Sequence, residues 1–168
     1  NAGALPKESW LNVSDEGQGR IVGEGCHFVD LARALVGSPI VAVQAQGSMG
    51  GADELAATLS FADGSLAVLS YTAQGDSSYS KERIEGFAGG SAVCLENFLT
   101  LSITKGGKTK TTKLMGQDKG HSAEIELFAK AVALGGPAPV AEAETFETSL
   151  ATLALVESLR TGMKIELG

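Results

Sequence analysis

Between residues 20 and 36 the apolar side chains follow a helical rhythm. Ile21, Phe28, Leu31 and Leu35 are spaced by seven, three and four positions, which predicts an amphipathic helix with one apolar stripe. Gly37 followed by Ser38-Pro39 supplies its stop. The rhythm then changes to short alternating runs, and candidate strands cover residues 40–46, 54–61, 65–73, 81–88, 92–96, 99–105 and 109–114. Between them stand Gly50-Gly51, Asp63-Gly64, Gly75-Asp76, Gly89-Gly90 and Gly106-Gly107, each able to take the positive φ of a tight turn. In the run at 99–105, Leu99, Leu101 and Ile103 alternate with Thr100, Ser102 and Thr104, giving one apolar and one hydroxyl-bearing face. Helical spacing returns after Gly120. Ile125, Phe128 and Val132 form one stripe, and Phe146, Leu150, Leu153 and Val156 form another, followed by the short tail Lys164-Ile165-Glu166-Leu167.

A helix, then many strands, then two helices predicts an α+β fold: a largely antiparallel, open-faced sheet of about six or seven strands with helices packed on one face. The other face must then meet water or protein. Its expected residues are Thr58, Ser60, Thr100, Ser102 and Thr104, with Ala56, Ala67, Leu69 and Tyr71 among them. Small side chains of this kind let a second sheet approach to about 10 Å, which predicts a homodimer through the sheet.

Composition bounds this picture. With 168 residues, 43% of them hydrophobic, the chain can bury the core of one domain, and residues 1–168 are taken as a single domain. A formal net charge of -7 argues against general binding to nucleic acid or an anionic membrane. No apolar run approaches the roughly 20 residues that span a bilayer. Two cysteines, Cys26 and Cys94, are too few for a disulfide scaffold and point to a reducing, cytoplasmic setting. The chain begins at Asn1 without an initiator Met, which reads as part of a longer protein.

The residues with most chemical content lie between Gly19 and Leu31. On a regular helix Arg20, Glu24 and His27 share one side, with Asp30 three positions beyond the histidine. An imidazole titrates near neutrality and a nearby carboxylate can fix its tautomer, a pairing suited to moving a proton at a hydroxyl or carbonyl carbon. The same spacing also describes an ordinary surface pair on an amphipathic helix. Gly19, Gly23 and Gly25 each cost a helix about 1 kcal/mol against alanine, which calls for a reason such as close approach of a ligand or a backbone. Cys26 and His27 are adjacent and point about 100° apart on a helix, so no metal site is expected there. The lysines at 105, 108, 110 and 113 read as a charged hairpin at a sheet edge. Trp10 either packs or stacks on a sugar ring. No GxGxxG follows a predicted strand, and neither a P-loop nor GxSxG is present.

Ile21-Val22, His27 and Asp30-Leu31 match a pattern that resembles the C-terminal substrate domain of the glucose-fructose oxidoreductase, inositol dehydrogenase and MocA-like superfamily. Phe61-Ala62-Asp63-Gly64-Ser65-Leu66-Ala67 is similar to that family's strand-turn-strand, and Arg83-Ile84-Glu85-Gly86-Phe87 with Gly89-Gly90 to a later strand and turn. Val156-Glu157-Ser158-Leu159-Arg160-Thr161-Gly162 resembles its closing helix. The resemblance implies a substrate-binding and oligomerisation domain of an NAD(P)-dependent oxidoreductase acting on a sugar, sugar derivative or polyol. It also implies an N-terminal Rossmann domain, absent from these residues, that binds NAD or NADP and supplies a lysine from a Glu-Lys-Pro motif. This chain alone is then expected to be inactive and to hold no cofactor. His27 takes the catalytic place, Glu24 and Asp30 support it, and Arg20 and Trp10 are further substrate contacts. The aspartate that the family carries four residues before the histidine falls on Gly23 here, with Glu24 one position off. That departure favours the alternative, a non-catalytic structural or dimerisation module of a multidomain protein.

Overall fold

A computed structural model describes residues 1–3, 19–48 and 54–168. Among the described residues there are eight strands, paired only antiparallel, and three α-helices, which is the α+β class that the sequence predicts. The strands are hydrogen-bonded in two sets of four, and the chain divides into two compact units. The predicted Gly50-Gly51 break lies outside the described residues.

One unit comprises the described residues of Ala2–Gly75 together with Val140–Gly168. It holds a π-helical turn at Ile21–Gly25 that runs directly into α1 (Cys26–Val36), then β1 (Ile40–Ser48), β2 (Glu54–Phe61) and β3 (Leu66–Tyr71). Two later elements return to it: the long C-terminal helix Glu142–Thr161 and the two-residue strand Ile165–Glu166. The sheet order places β1 between β2 and that last strand, with β3 at the far edge. The core lies between this sheet and the helices. Val43, Leu59 and Ala57 from the strands meet Val29 of α1 and Ala151 and Leu155 of the C-terminal helix, all buried. Polar contacts of Ser158, Glu147 and Arg33 set the helix positions. Ser158 is fully buried, where its hydroxyl accepts the Ala45 N–H at 2.9 Å and donates to the Met163 carbonyl at 2.5 Å. Glu147 accepts the Ile40 N–H at 2.5 Å, and Arg33 Nε donates to the same carboxylate at 3.1 Å. Arg33 also reaches Glu144 at 2.8 Å, and this pairing holds the Glu144 carboxyl below its usual range. A buried hydroxyl with both functions satisfied stabilises the fold by about 1 kcal/mol per bond.

The pairing of β2 with β3 corrects the expected open face. Ala67, Leu69 and Tyr71 stand opposite Leu59, Ala57 and Leu55, on the core side, where Tyr71 is buried. The open face carries Leu66, Val68 and Ser70 instead, opposite Ser60, Thr58 and Ala56. Apolar residues occupy both registers of β3, so alternation alone gave it no inside; the buried register of β2 does.

The other unit comprises Asp76–Pro139 with Asn1. Its sheet is a simple meander of β4 (Arg83–Ala88), β5 (Ser91–Glu96), β6 (Thr100–Lys105) and β7 (Lys108–Lys113). Glycine pairs make two of its hairpins, Gly89-Gly90 at φ 55° and 71° and Gly106-Gly107 at φ 57° and 72°, the double positive φ of a type I′ turn. The β5–β6 turn is built from Asn97 and Phe98 at φ 50° and 51°, a geometry that a non-glycine pair adopts only when its surroundings hold it. Here the Asn97 N–H donates to the Glu82 carbonyl at 2.7 Å, Gln117 Nε2 donates to the Asn97 carbonyl at 2.7 Å, and Lys119 lies 5.6 Å from the Phe98 ring centre. Lys119 also pairs with the buried Glu82 at 2.6 Å. As the sequence predicts, the lysine-rich β7 is an edge strand, and hydroxyl pairs Ser102–Thr111 (2.9 Å) and Thr104–Thr109 (2.8 Å) lace it to β6. After this sheet in the chain comes α2 (His121–Leu134), with His121 at its first position and its Ile125, Phe128 and Val132 stripe exposed. The C-terminal helix Glu142–Thr161 is accordingly α3 and the strand Ile165–Glu166 is β8.

Candidate functional site

The predicted helix at residues 20–36 is present, but its first turn is not α-helical. The Cys26 N–H reaches back to the Ile21 carbonyl, five residues away, so this turn takes up one residue more than an α-turn. That single residue changes which side chains face the core. A regular helix would align Ile21 with Phe28, seven positions on; here the buried line is Ile21, Gly25 and Val29, and Leu35 is exposed. Gly25 lies on the core side where the wide turn closes. A Cβ placed there would sit 3.6 Å from Ile21 Cγ2, in ordinary contact.

The same change of phase divides the predicted site residues. Arg20 and Glu24 stay together, Nη2 donating to Oε2 at 3.1 Å. Arg20 is only 3% exposed, and its Nη1 donates to the Gly3 carbonyl at 2.8 Å. A residue that sequence reasoning placed on the open face completes this cluster: the Tyr71 hydroxyl donates to Glu24 Oε2. The Arg20 guanidinium stands 5.7 Å from the Tyr71 ring centre, and the Phe28 ring lies 6.1 Å away at 57°. Burial first, then the bond to the Glu24 carboxylate, pushes the Tyr71 phenol well above its ordinary pKa, so it remains a hydrogen-bond donor.

His27 is not part of that cluster. It occupies the first turn of α1, is exposed, and makes no side-chain hydrogen bond or ion pair among the described residues. Asp30, one turn further on and also exposed, accepts the Thr148 hydroxyl of α3 at 2.9 Å, which anchors its carboxylate to the helix behind. Cys26, beside the histidine, is half-buried, and burial pushes its thiol up, keeping it neutral at pH 7. Trp10 lies outside the described residues. Among the described residues no three His, Cys, Asp or Glu side chains gather as a metal site would require, and no helix is long and apolar enough to cross a membrane.

A dinucleotide needs its pyrophosphate held at a helix N-terminus behind a glycine-rich turn that leaves a parallel strand. Among the described residues every strand pairing is antiparallel, and no strand leads into a helix through such a turn. These residues do not fit a nicotinamide dinucleotide cradle.

No curated protein is significantly similar in sequence. Solved structures share the fold. An aldose-aldose oxidoreductase from Caulobacter crescentus, complexed with glycerol, superposes with a TM-score of 0.79 at 18% identity, over 98% of this chain and 52% of that one. UDP-N-acetylglucosamine 3-dehydrogenase from Acidithiobacillus ferrooxidans gives 0.77 at 22% identity, over 94% of this chain and 50% of that one. An oxidoreductase from Agrobacterium radiobacter, in complex with NAD+, L-tartaric acid and magnesium, gives 0.72 at 16% identity, over 85% and 47%. The chain thus spans about half the length of these structures. The family model that matches describes the GFO/IDH/MocA C-terminal domain and covers residues 1–94, more than half the chain, from Asn1 through the His27 helix to β5, so the chain belongs to the GFO/IDH/MocA C-terminal domain family.

Proposed function

We propose that this chain is the substrate-binding and oligomerisation domain of a cytoplasmic NAD(P)-dependent oxidoreductase that acts on a sugar, a sugar derivative or a polyol. The observation that carries the reading is His27, exposed on a helix whose base is pinned by buried polar contacts, inside the stretch that the family model matches. A neutral imidazole held this way can accept the proton of a substrate hydroxyl as its carbon becomes a carbonyl, and return it in the reverse direction. Asp30, on the same side of α1, supplies an anchored negative charge near the bound hydroxyls. Glu24 and Arg20 serve the site from beneath, by holding the turn. The nicotinamide dinucleotide is held by the half of the oxidoreductase that these residues do not include. Two of the similar structures carry sugar names and one contains NAD+, which agrees with this reading.

Turnover of the intact oxidoreductase with a panel of sugars, and with NAD and NADP in turn, tests it. Activity on at least one sugar or polyol is expected, while the isolated 168 residues bind neither nucleotide at micromolar concentration. Tight NADH binding by the isolated chain, or an intact protein inert with every sugar and both nucleotides, would count against the assignment. The second outcome would favour the other reading, a non-catalytic dimerisation module, which Gly23 supports by standing where the family carries an aspartate.

The oligomerisation role draws on the open face of β1–β3. Gln44, Ala56, Thr58, Ser60, Leu66 and Val68 form its middle, and Glu54, at the start of β2, is the acid in the same register. A stretch of hydroxyl, alanine and branched apolar side chains of this width, with its acid at one end, is unusual for a sheet that meets only water. Sedimentation at micromolar concentration is expected to report about twice the 17.2 kDa monomer mass, and Thr58→Lys to return the monomer without unfolding it. A clean monomer of the unaltered chain would remove this interface.

A further inference from the structure

We propose that Tyr71 is the positioning residue of the candidate site: by gripping both sides of the π-helical turn it fixes the length of that turn, and so the direction in which His27 leaves the helix. The inference rests on the reading of His27 as the proton-transfer group.

The geometry is a three-point contact. The Tyr71 hydroxyl holds Glu24, inside the turn; its ring carries Arg20, just before the turn, at 5.7 Å; and the same ring meets Phe28, just after it, at 6.1 Å. Residues on either side of a π turn are offset by one position from their places in a regular helix. If Ile21–Gly25 relaxed to an α-turn, everything beyond it would rotate by about 100° relative to Arg20 and Glu24. Tyr71 could then keep Glu24 and Arg20, or Phe28, but not all three. Its own place is not free to follow, because it ends β3, pairs with Leu55 and is 4% exposed. Beyond the Arg20–Glu24 ion pair and the Arg20 bond to the Gly3 carbonyl, the residues inside the turn add little stiffness. Gly23 and Gly25 lie within it, and glycine is the residue that most easily abandons a helical conformation. His27 is the next residue but one after Gly25 and the immediate neighbour of Phe28, so a change in the turn is passed to it directly.

Tyr71→Phe is the informative variant, because it removes the hydroxyl and leaves the ring contacts. The chain has two histidines, and His121, on α2, serves as the internal reference. In NMR spectra of the chain, Tyr71→Phe is expected to speed amide exchange at residues 23–27 by at least about tenfold relative to β1 and β2, and to move the His27 ring resonances while leaving those of His121 in place. A merely structural role would accelerate all amides of the unit alike. That uniform result, or unchanged exchange and an unmoved His27, would overturn the proposal. If Tyr71→Phe does not fold, Glu24→Gln tests the same link, since it keeps the shape and weakens the acceptor. In the intact oxidoreductase the expected effect is a fall of kcat by about 10- to 100-fold at nearly constant KM. Failure of the two ideas is distinguishable. Should His27→Ala leave turnover unaltered, the catalytic reading falls. Should His27→Ala abolish turnover while Tyr71→Phe changes neither the spectrum nor kcat, only the positioning role falls.

Discussion

His27→Ala in the intact oxidoreductase is expected to lower kcat by about 10²- to 10⁴-fold, the range for loss of a positioned general base. The melting temperature of the variant should stay where it was. The ring is exposed and makes no side-chain hydrogen bond or ion pair among the described residues, so its removal opens no cavity and strands no buried partner. The two readouts together decide the matter. An unaltered rate with a lowered melting temperature would make His27 a stabilising residue of α1 and nothing more. A lowered rate at an unchanged melting temperature is what a group in a wet cleft gives. Raising the pH within the range where imidazole is neutral should not restore the variant, because alanine has no proton acceptor to unmask.

The largest expected effect on stability is at Leu59. It is 0% exposed, stands opposite Val43 on one side and Ala67 on the other, and belongs to the core cluster that includes Leu155 of α3. Leu59→Ala removes three buried carbons from the centre of a three-stranded patch whose backbone cannot close the gap without breaking its own ladder. The expected cost is about 2–5 kcal/mol, seen as a lowered urea midpoint. Thr58, the preceding residue, points to the open face, so Thr58→Ala should change stability by less than about 0.5 kcal/mol. Equal effects at the two positions would mean that the assigned register is wrong by one residue.

Much of this architecture is local, and local features were legible. The strand at 54–61 has the bounds that its alternation predicts, and the hairpins at Gly89-Gly90 and Gly106-Gly107 turn where double glycines allow a positive φ. The lysines of β7 mark an edge because an interior strand would bury them. The candidate strands 92–96 and 99–105 also leave Asn97-Phe98 between them, but nothing local marks this pair for positive φ, since only its partners around Glu82 and Lys119 make that backbone tolerable for a phenylalanine.

The candidate site divides in the same way. His27 and Asp30 stand out in the amino-acid order because their side chains are short-range neighbours on any helix. Arg20 and Glu24 are joined at i and i+4, as helical spacing requires. Which way the group faces is another matter. In the sequence the glycines at 23 and 25 stand as a cost that close approach of a ligand or a backbone would explain. They lie within a π turn, which shifts the buried line from Ile21–Phe28 to Ile21–Gly25–Val29. Helical periodicity assumes a constant number of residues per turn, so one wide turn changes the phase of everything beyond it without altering a single residue type. Tyr71 was assigned to the open face because β3 is apolar in both registers, and nothing within six residues distinguishes its two sides. Pairing with β2, whose own alternation is clear, turns Tyr71 inward and brings it to Glu24, 47 residues earlier in the chain. Residue order specifies the elements and the groups able to do chemistry; the phase between elements, and with it the environment of those groups, comes from contacts between segments that no local pattern encodes.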